Sequence, residues 1–426
     1  MTLAPPTEEQ ARVIDHLKNT RHHTFITGKA GTGKSFVLKH FQASGKKKIL
    51  VSAATGVAAL AVDGKTLHRM LGLGTSLPAD LYTDHQKIRY THTWITEYDV
   101  LVIDEISMVS SELMDAIDRV LREIRHDESP FGGMQIVMFG DPYQLPPVVT
   151  DDFKKYLMRR RYKSEWFFDA KVWEQAKFDT FSLETIQRQR GDAVFTDLLN
   201  AVRDGSVQPD QLRMLNIVGG MNEPSEDSLL LAAYNRTVFE RNTLNLAHLP
   251  GQTYTYEAKV NKGFGRDEPA ERIIHLKPGA KILMLTNDRD DRWVNGTPAT
   301  VITCAETWIQ VETRPDKDDS DYTERHTVSP YSWVPSDTDP EMYAMAPKYT
   351  QMPVKLAWGV SVHKSQGMSL PEIEIDMGTG AFSAGQTYVA LSRVTSAGGL
   401  HFRHPLSMGD IKVDPNVRRF FSQVGR

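Results

Sequence analysis

The sequence has a single cysteine, Cys304, and contains no long apolar run. One cysteine forms no internal disulfide bond and excludes a zinc site built from cysteines. No stretch of about 18 uncharged apolar residues offers a membrane span, and the N-terminus lacks the basic and apolar segments of a secretion signal. We therefore expect a cytoplasmic protein with no membrane partner.

The chain also lacks an excess of positive charge. Its formal net charge is −4 and its pI is about 6.4. This balance argues against a non-specific nucleic-acid coat, but a local basic groove stays open because binding depends on where the charges lie. With 426 residues, 40% of them hydrophobic and 24% charged, the chain is typical of a globular protein of about two to four domains.

The clearest motif is at residues 28–35, where a glycine is followed by four variable positions and then Gly-Lys-Ser. Apolar residues that predict a strand precede it, and a helical pattern follows. In such a loop the backbone N–H groups surround phosphates, Lys34 reaches the β and γ phosphates, and Ser35 offers a hydroxyl to Mg²⁺. A glycine turn with a surface lysine is the alternative, but it does not require this strand–loop–helix context. ATP and Mg²⁺ are therefore the expected ligands, and the predicted cofactor-binding residues of the loop are Gly28, Ala30, Gly31, Thr32, Gly33, Lys34 and Ser35.

Two acidic residues, Asp104 and Glu105, end a second apolar strand. This is where a P-loop ATPase carries its metal-binding acid. We expect Asp104 to hold Mg²⁺ together with Ser35, and Glu105 to orient and deprotonate the attacking water. An exposed acidic pair after a strand is the alternative, and the upstream phosphate loop favours the catalytic interpretation.

Three further polar residues are catalytic candidates with weaker support from sequence alone. Gln144 follows a third strand and either senses the γ-phosphate or is a turn glutamine. Arg188 and Arg393 lie beyond the first domain, where they either reach the transferring phosphoryl group or are ordinary solvated arginines. The stretch from 358 to 367 combines groups suited to contacts with a phosphate backbone, although its His363 could equally be a buried, hydrogen-bonded histidine.

Strands and helices alternate in the first part of the chain, which predicts a parallel α/β domain. Thr7 is the expected N-cap of a first helix, and residues 110–125 show helical periodicity. The pattern loosens from residue 73 to 96, which indicates an insertion. A second α/β unit begins near residue 181, is interrupted by short strands and turns between about 250 and 345, and resumes at Lys355.

Eight segments resemble, in order, the motifs of superfamily 1B helicases. They are most similar to those of the petite-integration-frequency (PIF) family of DNA helicases, which is related to RecD. The similarity is especially close at residues 130–133, 140–148 and 363–367. The segments are residues 28–35, 53–60, 64–73, 101–108, 130–148, 183–189, 362–370 and 388–400.

The resemblance implies an α/β fold with two RecA-like P-loop domains. The first, ATP-binding domain would comprise residues 1–72 and 97–180, with a wedge insertion at 73–96. The second would comprise residues 181–250 and 346–426, with an SH3-like β insertion at 251–345. ATP would bind in the cleft between the two RecA-like domains.

The resemblance also assigns roles to individual residues. Gln10 would recognise adenine, Gly367 would contact the nucleotide, and Arg188 and Arg393 would be arginine fingers. The residues that would contact single-stranded DNA are Thr55, Gly56, Thr66, His68, Asn235, Ser361, His363 and Lys364.

The function that follows is an ATP-dependent DNA helicase that translocates 5′ to 3′ on single-stranded DNA and unwinds duplexes, with substrates that could extend to G-quadruplexes or DNA–RNA hybrids. Its expected partners are single-stranded DNA and forks with a 5′ tail, and we expect a monomer in a bacterial or phage-infected cell. A nucleotide-gated clamp or remodeller of single-stranded nucleic acid that does not separate strands is the alternative. A P-loop phosphotransferase is a third, more distant hypothesis.

Overall fold

The computed structural model describes residues 4–54, 65–71, 73, 93–186, 192–226, 228–264, 268–288, 290, 292–293, 295–314, 323–334 and 344–424. The chain divides into two compact units. The first unit comprises Met1–Glu223 with Ser365–Arg426, and the second comprises Pro224–Lys364. The finer division into two RecA-like domains with two insertions stays a prediction.

The first unit is built on a six-stranded parallel sheet. Its strands are β1 (Thr24–Gly28), β2 (Ile49–Ala53), β3 (Lys65–Thr66), β4 (Val100–Asp104), β5 (Gln135–Phe139) and β6 (Asp179–Leu183). Their order is β3-β2-β4-β5-β1-β6, and every neighbouring pair is parallel. Parallel strands have their carboxyl ends at one edge, so the loops after β4, β5 and β1 lie side by side. The parallel α/β arrangement predicted for this part of the chain is confirmed.

The first helix starts where the sequence predicts. The side chain of Thr7 accepts a hydrogen bond from the backbone of Gln10 at 3.3 Å, and the Gln10 side chain completes a capping box. In chain order the helices are α1 (Glu8–Asn19), α2 (Lys34–Ala43), α3 (Leu67–Leu71), α4 (Ser111–Arg125), α5 (Asp151–Arg159), α6 (Lys171–Ala176), α7 (Ala193–Asp204), α8 (Pro209–Gly219), α9 (Asn235–His248), α10 (Gln386–Leu391) and α11 (Pro415–Val424). Within the described ranges, none of them has the length and apolar character needed to cross a membrane.

The core of the first unit draws on both ends of the chain. The apolar face of α4 packs in a large cluster that also includes Phe420 of α11. The Phe420 ring stacks on Phe168, with 4.3 Å between ring centroids. The final helix is therefore part of the hydrophobic core that supports the parallel sheet.

Only the ends of the predicted wedge belong to the described part of the chain. Residues 93–97 form a 3₁₀ turn, in which Ile95 is fully buried and Trp94 packs beside Tyr98. Leu73, at the other end, is also buried in the core. Residues 74–92 lie outside the described residues, so the wedge stays a prediction.

The second unit is mainly antiparallel. Its strands are β7 (Leu229–Ala232), β8 (Tyr254–Glu257), β9 (Lys259–Val260), β10 (Ile273–Leu276), β11 (Lys281–Met284), β12 (Pro298–Cys304), β13 (Ile309–Thr313), β14 (Glu324–Val328), β15 (Tyr331–Trp333), β16 (Tyr349–Gln351), β17 (Val354–Leu356) and β18 (Gly359–Ser361). A five-stranded sheet has the order β14-β13-β12-β11-β17. The short strands expected in this region are present, and the antiparallel sheet extends past residue 345. Its SH3-like character stays a prediction.

Two parallel pairs complete the architecture. In the second unit, β18 pairs with β7. The amide of Asn242 in α9 holds this pair in place because it accepts from Gly359 N at 2.9 Å and donates to Gly359 O at 3.1 Å. In the first unit, β19 (Ile373–Asp376) pairs with β20 (Leu400–Phe402).

Candidate functional site

The phosphate-binding motif forms the loop between β1 and α2. β1 is buried along its whole length, and α2 begins at Lys34. Gly33 has a φ of 86°, and a Cβ atom there would lie 2.5 Å from the amide nitrogen of Gln10. A larger residue would be strained and would clash, so this position requires glycine. The predicted strand–loop–helix context is confirmed.

The ammonium group of Lys34 lies over its own loop. Its Nζ atom donates to Gly28 O at 2.6 Å and to Lys29 O at 3.0 Å. Burial lowers the pKa of Lys34, while the carboxylates of Asp141 and Glu105 act in the opposite direction. Lys34 therefore interacts electrostatically with the acids that follow β4 and β5.

Gln10 connects the first helix to the phosphate loop. Its side chain is buried, its Oε1 atom accepts from Thr7 N at 3.1 Å, and its Nε2 atom donates to Thr32 O at 3.2 Å. Both ends of the amide are thus engaged, which fixes the start of α1 against the loop. Recognition of adenine by Gln10 stays a prediction.

The acidic pair at the end of β4 has a strained backbone. Glu105 adopts a left-handed conformation with a φ of 51°, and its N–H donates to Asp104 Oδ1 at 2.9 Å. Burial, with the neighbouring charge of Glu105, raises the pKa of Asp104 to about 7. Strain of this kind at a non-glycine residue is typical of functional sites.

Two further side chains, those of Gln366 and Gln144, lie beside this pair. Gln366 donates from Nε2 to Glu105 Oε2 at 2.9 Å and lies 3.5 Å from Gln144 Oε1. Among the described residues the buried Oε1 atom of Gln366 has no hydrogen-bond partner. An orphaned acceptor beside a carboxylate marks a place suited to a bound ligand or water. Gly367, the predicted nucleotide contact, follows with a φ of 86° and is exposed.

Tyr388 of α10 reaches the phosphate loop directly. Its hydroxyl accepts a hydrogen bond from the backbone N–H of Ala30 at 2.8 Å, and burial raises its pKa. Before α10, Gly385 packs so closely that a Cβ atom would lie 2.3 Å from Gln144 O. Helix α10 therefore contacts both the phosphate loop and the loop that carries Gln144.

A buried ion pair anchors the loop after β5. Arg203 of α7 donates to both carboxylate oxygens of Asp141, from Nη2 at 2.9 Å and from Nε at 3.0 Å. Its guanidinium carbon also lies 4.1 Å from the centre of the Tyr143 ring. This bidentate contact fixes the chain between β5 and Gln144.

Arg393 is buried among backbone carbonyls. Its guanidinium donates to Val389 O at 2.9 Å and to Met368 O at 3.3 Å, and also to the hydroxyl of Ser392 at 2.8 Å. It therefore holds α10 against the segment that carries Gln366. Arg188 lies outside the described residues, so the arginine-finger roles of both residues stay predictions.

In the first unit, the described nucleic-acid candidates are Thr66, which lies beside the end of β2, and His68. Ala53, the last residue of β2, is paired with Thr66 on one side and with Asp104 on the other. His68 follows in α3, and burial lowers its pKa. Thr55 and Gly56 lie outside the described residues. The sheet thus brings Thr66 to the same edge as the acidic pair.

In the second unit, the candidates follow the carboxyl ends of the parallel strands β7 and β18. Asn235 is the exposed first residue of α9, Ser361 ends β18, and burial lowers the pKa of the next candidate, His363. Lys364 is exposed. Burial and the charge of Lys364 lower the pKa of Lys355 to about 8. Two neighbouring cations suit a polyanion by their charge, and the sequence analysis did not single out Lys355 as a candidate.

The two residues predicted to hold a metal offer oxygen atoms, which are the ligands that Mg²⁺ prefers. Ser35 offers a hydroxyl in the first turn of α2, and Asp104 offers a carboxylate whose raised pKa shows that burial destabilises its charge. Mg²⁺ prefers such oxygen ligands, and a cation would stabilise the charged form of Asp104.

Sequence reasoning did not assign roles to Tyr388, Gln366 or Arg203. Tyr388 and Gln366 lie inside segments that resemble helicase motifs, so their positions were available from sequence. Arg203 lies outside those segments, and its only signal was a basic residue directly after the apolar residues Ala201 and Val202.

Comparisons with known proteins show which family this chain resembles. The family model described as PIF1-like helicase matches residues 6–213. The ATP-dependent DNA helicase Pif1 of Bdellovibrio bacteriovorus is 31% identical over 97% of this chain and 91% of the relative. The ATP-dependent DNA helicase PIF1 of Xenopus laevis is 32% identical over 98% of this chain, but this chain spans only 64% of that relative's length.

A solved structure extends the similarity to three dimensions. The Pif1 helicase from Bacteroides, crystallised in complex with ADP-AlF3 and single-stranded DNA, superposes with a TM-score of 0.82 at 28% identity. The match covers 99% of this chain and 97% of the Bacteroides chain. The α/β fold with RecA-like P-loop architecture is thereby confirmed. The match to the Bdellovibrio protein over nearly its full length shows that this chain belongs to the PIF1-like helicase family.

Proposed function

We propose that this chain is an ATP-dependent DNA helicase that moves 5′ to 3′ along single-stranded DNA and unwinds duplexes. The names of its relatives and the ligands of the Bacteroides protein support ATP and single-stranded DNA as its ligands. The single observation that carries the proposal is the hydrogen bond from Gln366 to Glu105. It joins the acid expected to activate water to a segment expected to bind DNA.

In the proposed reaction, Lys34 and the loop amides bind the β and γ phosphates. Glu105 accepts a proton from the water that attacks the γ-phosphorus, and Gln144 orients that water. The bond between the γ-phosphorus and the bridging oxygen breaks, and ADP leaves with the electron pair. Mg²⁺ held by Ser35 and Asp104 would neutralise charge on the phosphates.

Coupling to DNA would run through Gln366. Lys364 precedes it by two residues and is a proposed contact to the DNA backbone. DNA bound at Lys364 would favour the position of Gln366 that orients Glu105, so single-stranded DNA would accelerate hydrolysis. Arg188 and Arg393 would stabilise the charge that develops on the transferring phosphoryl group.

The proposed DNA contacts read the backbone rather than the bases, because hydroxyl, amide, imidazole and ammonium groups suit phosphates and sugars. They are Thr55, Gly56, Thr66 and His68 in the first unit, and Asn235, Ser361, His363 and Lys364 in the second. We propose single-stranded DNA and forks with a 5′ tail as partners, and a monomer as the active form.

The test is strand separation on two forked duplexes that differ only in which strand carries the single-stranded tail. We expect ATP-dependent unwinding of the 5′-tailed fork and none of the 3′-tailed fork. Glu105→Gln should bind both forks but unwind neither. Hydrolysis stimulated by DNA without separation of either fork would contradict the proposal and favour the nucleotide-gated clamp. Preference for the 3′ tail would contradict the direction.

A further inference from the structure

A cluster of metal-ligand side chains lies in the first unit, away from the phosphate loop. It consists of His16 in the last part of α1, His22 just before β1 and Asp179 at the start of β6. One potential ligand atom from each residue lies within 4.8 Å of the other two. The proposed helicase activity uses none of these residues.

The carboxylate of Asp179 is the centre of this cluster. Its Oδ2 atom lies 2.8 Å from His22 Nδ1 and 3.3 Å from His16 Nε2. In the described part of the chain, its ion-pair contacts are with these two imidazoles and not with a lysine or arginine. The arrangement thus gathers two imidazole nitrogens and one carboxylate oxygen.

The distances suit a small transition-metal ion. Zinc–nitrogen and zinc–oxygen bonds of about 2.0–2.2 Å in tetrahedral geometry place the donor atoms roughly 3.3 Å from one another. Two of the three separations lie close to that value. Rotation of the His22 side chain, which is 67% exposed, would bring the third separation to this value.

The backbone around the cluster is fixed by contacts that do not use the ligand atoms. Asp179 N donates to His23 O at 2.9 Å, and Gln135 donates to His22 O at 2.8 Å. The His16 ring packs against Phe181, with 4.8 Å between centroids. Strand pairing between β1 and β6 sets the spacing of Thr24 and Asp179. A preformed frame lowers the cost of assembling a metal site.

Positive charge near the cluster would weaken the binding of a cation. One nearby cation is Lys47, whose charge lowers the pKa of His16. Its ammonium group donates to Leu17 O at 2.6 Å and to Gln135 Oε1 at 2.6 Å. Because Lys47 is engaged by these acceptors, it does not compete for Asp179.

We propose that His16, His22 and Asp179 form a binding site for a divalent transition-metal ion of the Zn²⁺ type. Two imidazoles and a single carboxylate favour zinc over Mg²⁺, and a water molecule would complete the coordination. The ion would join α1, the entry to β1 and the edge strand β6. β1 separates this site from the phosphate loop by about 15 Å, since a strand rises roughly 3.3 Å per residue. Zn²⁺ would therefore stabilise the fold without occupying the nucleotide site.

The test uses the full-length chain, freed of any histidine tag and of metal, titrated with Zn²⁺ by calorimetry. His22→Gln, His16→Gln and Asp179→Asn each remove one ligand, and His404→Gln is the matched control because that histidine is also exposed. We expect one equivalent of Zn²⁺ on the wild type and on the control. Each ligand variant should bind at least about tenfold more weakly, since even outer-shell substitutions cost about 10–100-fold.

A second measurement separates metal binding from a structural role. Zn²⁺ at about 100 times its dissociation constant should raise the wild-type Tm by roughly 2–5 °C, and this rise should vanish in His22→Gln. Because His22 is exposed, this variant should melt like the wild type without metal. No saturable binding to the wild type, or unchanged affinity in His22→Gln, would overturn the proposal.

Discussion

The side-chain amide of Gln366 donates a hydrogen bond to the carboxylate of Glu105, with 2.9 Å between Nε2 and Oε2. The two residues are 261 positions apart in sequence. Glu105 directly follows β4 of the parallel sheet, whereas Gln366 follows the expected DNA-binding residues His363 and Lys364. A movement of Gln366 would therefore change the orientation of Glu105, and in the proposed function this contact would couple DNA binding to the hydrolysis of ATP.

Gln366→Ala should uncouple hydrolysis from DNA. The variant keeps the phosphate loop and both acids, so we expect a small change in basal ATPase activity. The DNA-stimulated rate should fall by about tenfold or more, because Glu105 loses the group that orients it. Steady-state ATPase with and without single-stranded DNA measures both rates. Gln175→Ala, at an exposed position, should retain stimulation. A variant that is stimulated as strongly as the wild type would refute this coupling.

Tyr388→Phe should free one backbone amide of the phosphate loop. The hydroxyl of Tyr388 accepts from Ala30 N at 2.8 Å, and this N–H would otherwise be available to a phosphate oxygen. We expect ADP to bind more tightly by up to about tenfold, and the free energy of unfolding to fall by about 1 kcal/mol. Fluorescent-nucleotide binding and urea unfolding report these changes. Weaker binding of ADP would show that the hydroxyl supports the loop rather than competing with phosphate.

The ion pair between Asp141 and Arg203 should show strong coupling. Both residues are buried, and their contact is bidentate. Arg203→Met leaves a buried carboxylate without its partner and should lower the free energy of unfolding by about 3–5 kcal/mol. Arg203→Met combined with Asp141→Asn should lose clearly less than the sum of the single losses. A double-mutant cycle from urea unfolding gives the coupling, and additive losses would count against it.

His23 should make stability depend on pH. Burial lowers its pKa from 6.5 to about 4, despite the opposing charge of Asp118. Its Nδ1 atom accepts from Ile136 N at 3.1 Å, which a protonated ring could not do. The unfolded chain binds a proton near pH 6.5 and the folded chain only near pH 4. This contribution is therefore complete above pH 6.5 and is lost as the pH falls towards 4, by up to about 3 kcal/mol.

Urea unfolding between pH 7 and pH 4 tests this linkage. His23→Gln can still accept from the backbone but does not titrate, so its loss of stability over this range should be smaller than that of the wild type. His404→Gln should keep the wild-type dependence. Equal slopes for His23→Gln and the wild type would rule out a role for His23.

The sequence predicted the features that are formed by residues close together along the chain. The phosphate loop, the acids after β4 and the N-cap Thr7 are each defined by residues that are neighbours along the chain. The parallel sheet followed from alternating apolar strands and helices, and its geometry then brought Thr66 and Asp104 to one edge.

Contacts between residues that are far apart in the sequence could not be predicted in this way. Tyr388 lies 358 residues from Ala30, and nothing in either segment specifies that a hydroxyl meets that amide. His16, His22 and Asp179 come together only because β6 pairs beside β1. The ion pair of Arg203 could likewise not be predicted, since its partner Asp141 lies on a loop and not in the same helix.

The most direct measurement of the central claim is ATP hydrolysis by Lys34→Ala with saturating single-stranded DNA. The claim is that the loop at residues 28–35 hydrolyses ATP in response to DNA, and Lys34 is the cation that this loop would place on the β and γ phosphates. Lys39→Ala removes an exposed lysine from the same helix and serves as the control. We predict DNA-stimulated turnover in the wild type and in Lys39→Ala, and none in Lys34→Ala, with similar thermal stability in all three. Turnover by Lys34→Ala near the wild-type rate would contradict the account.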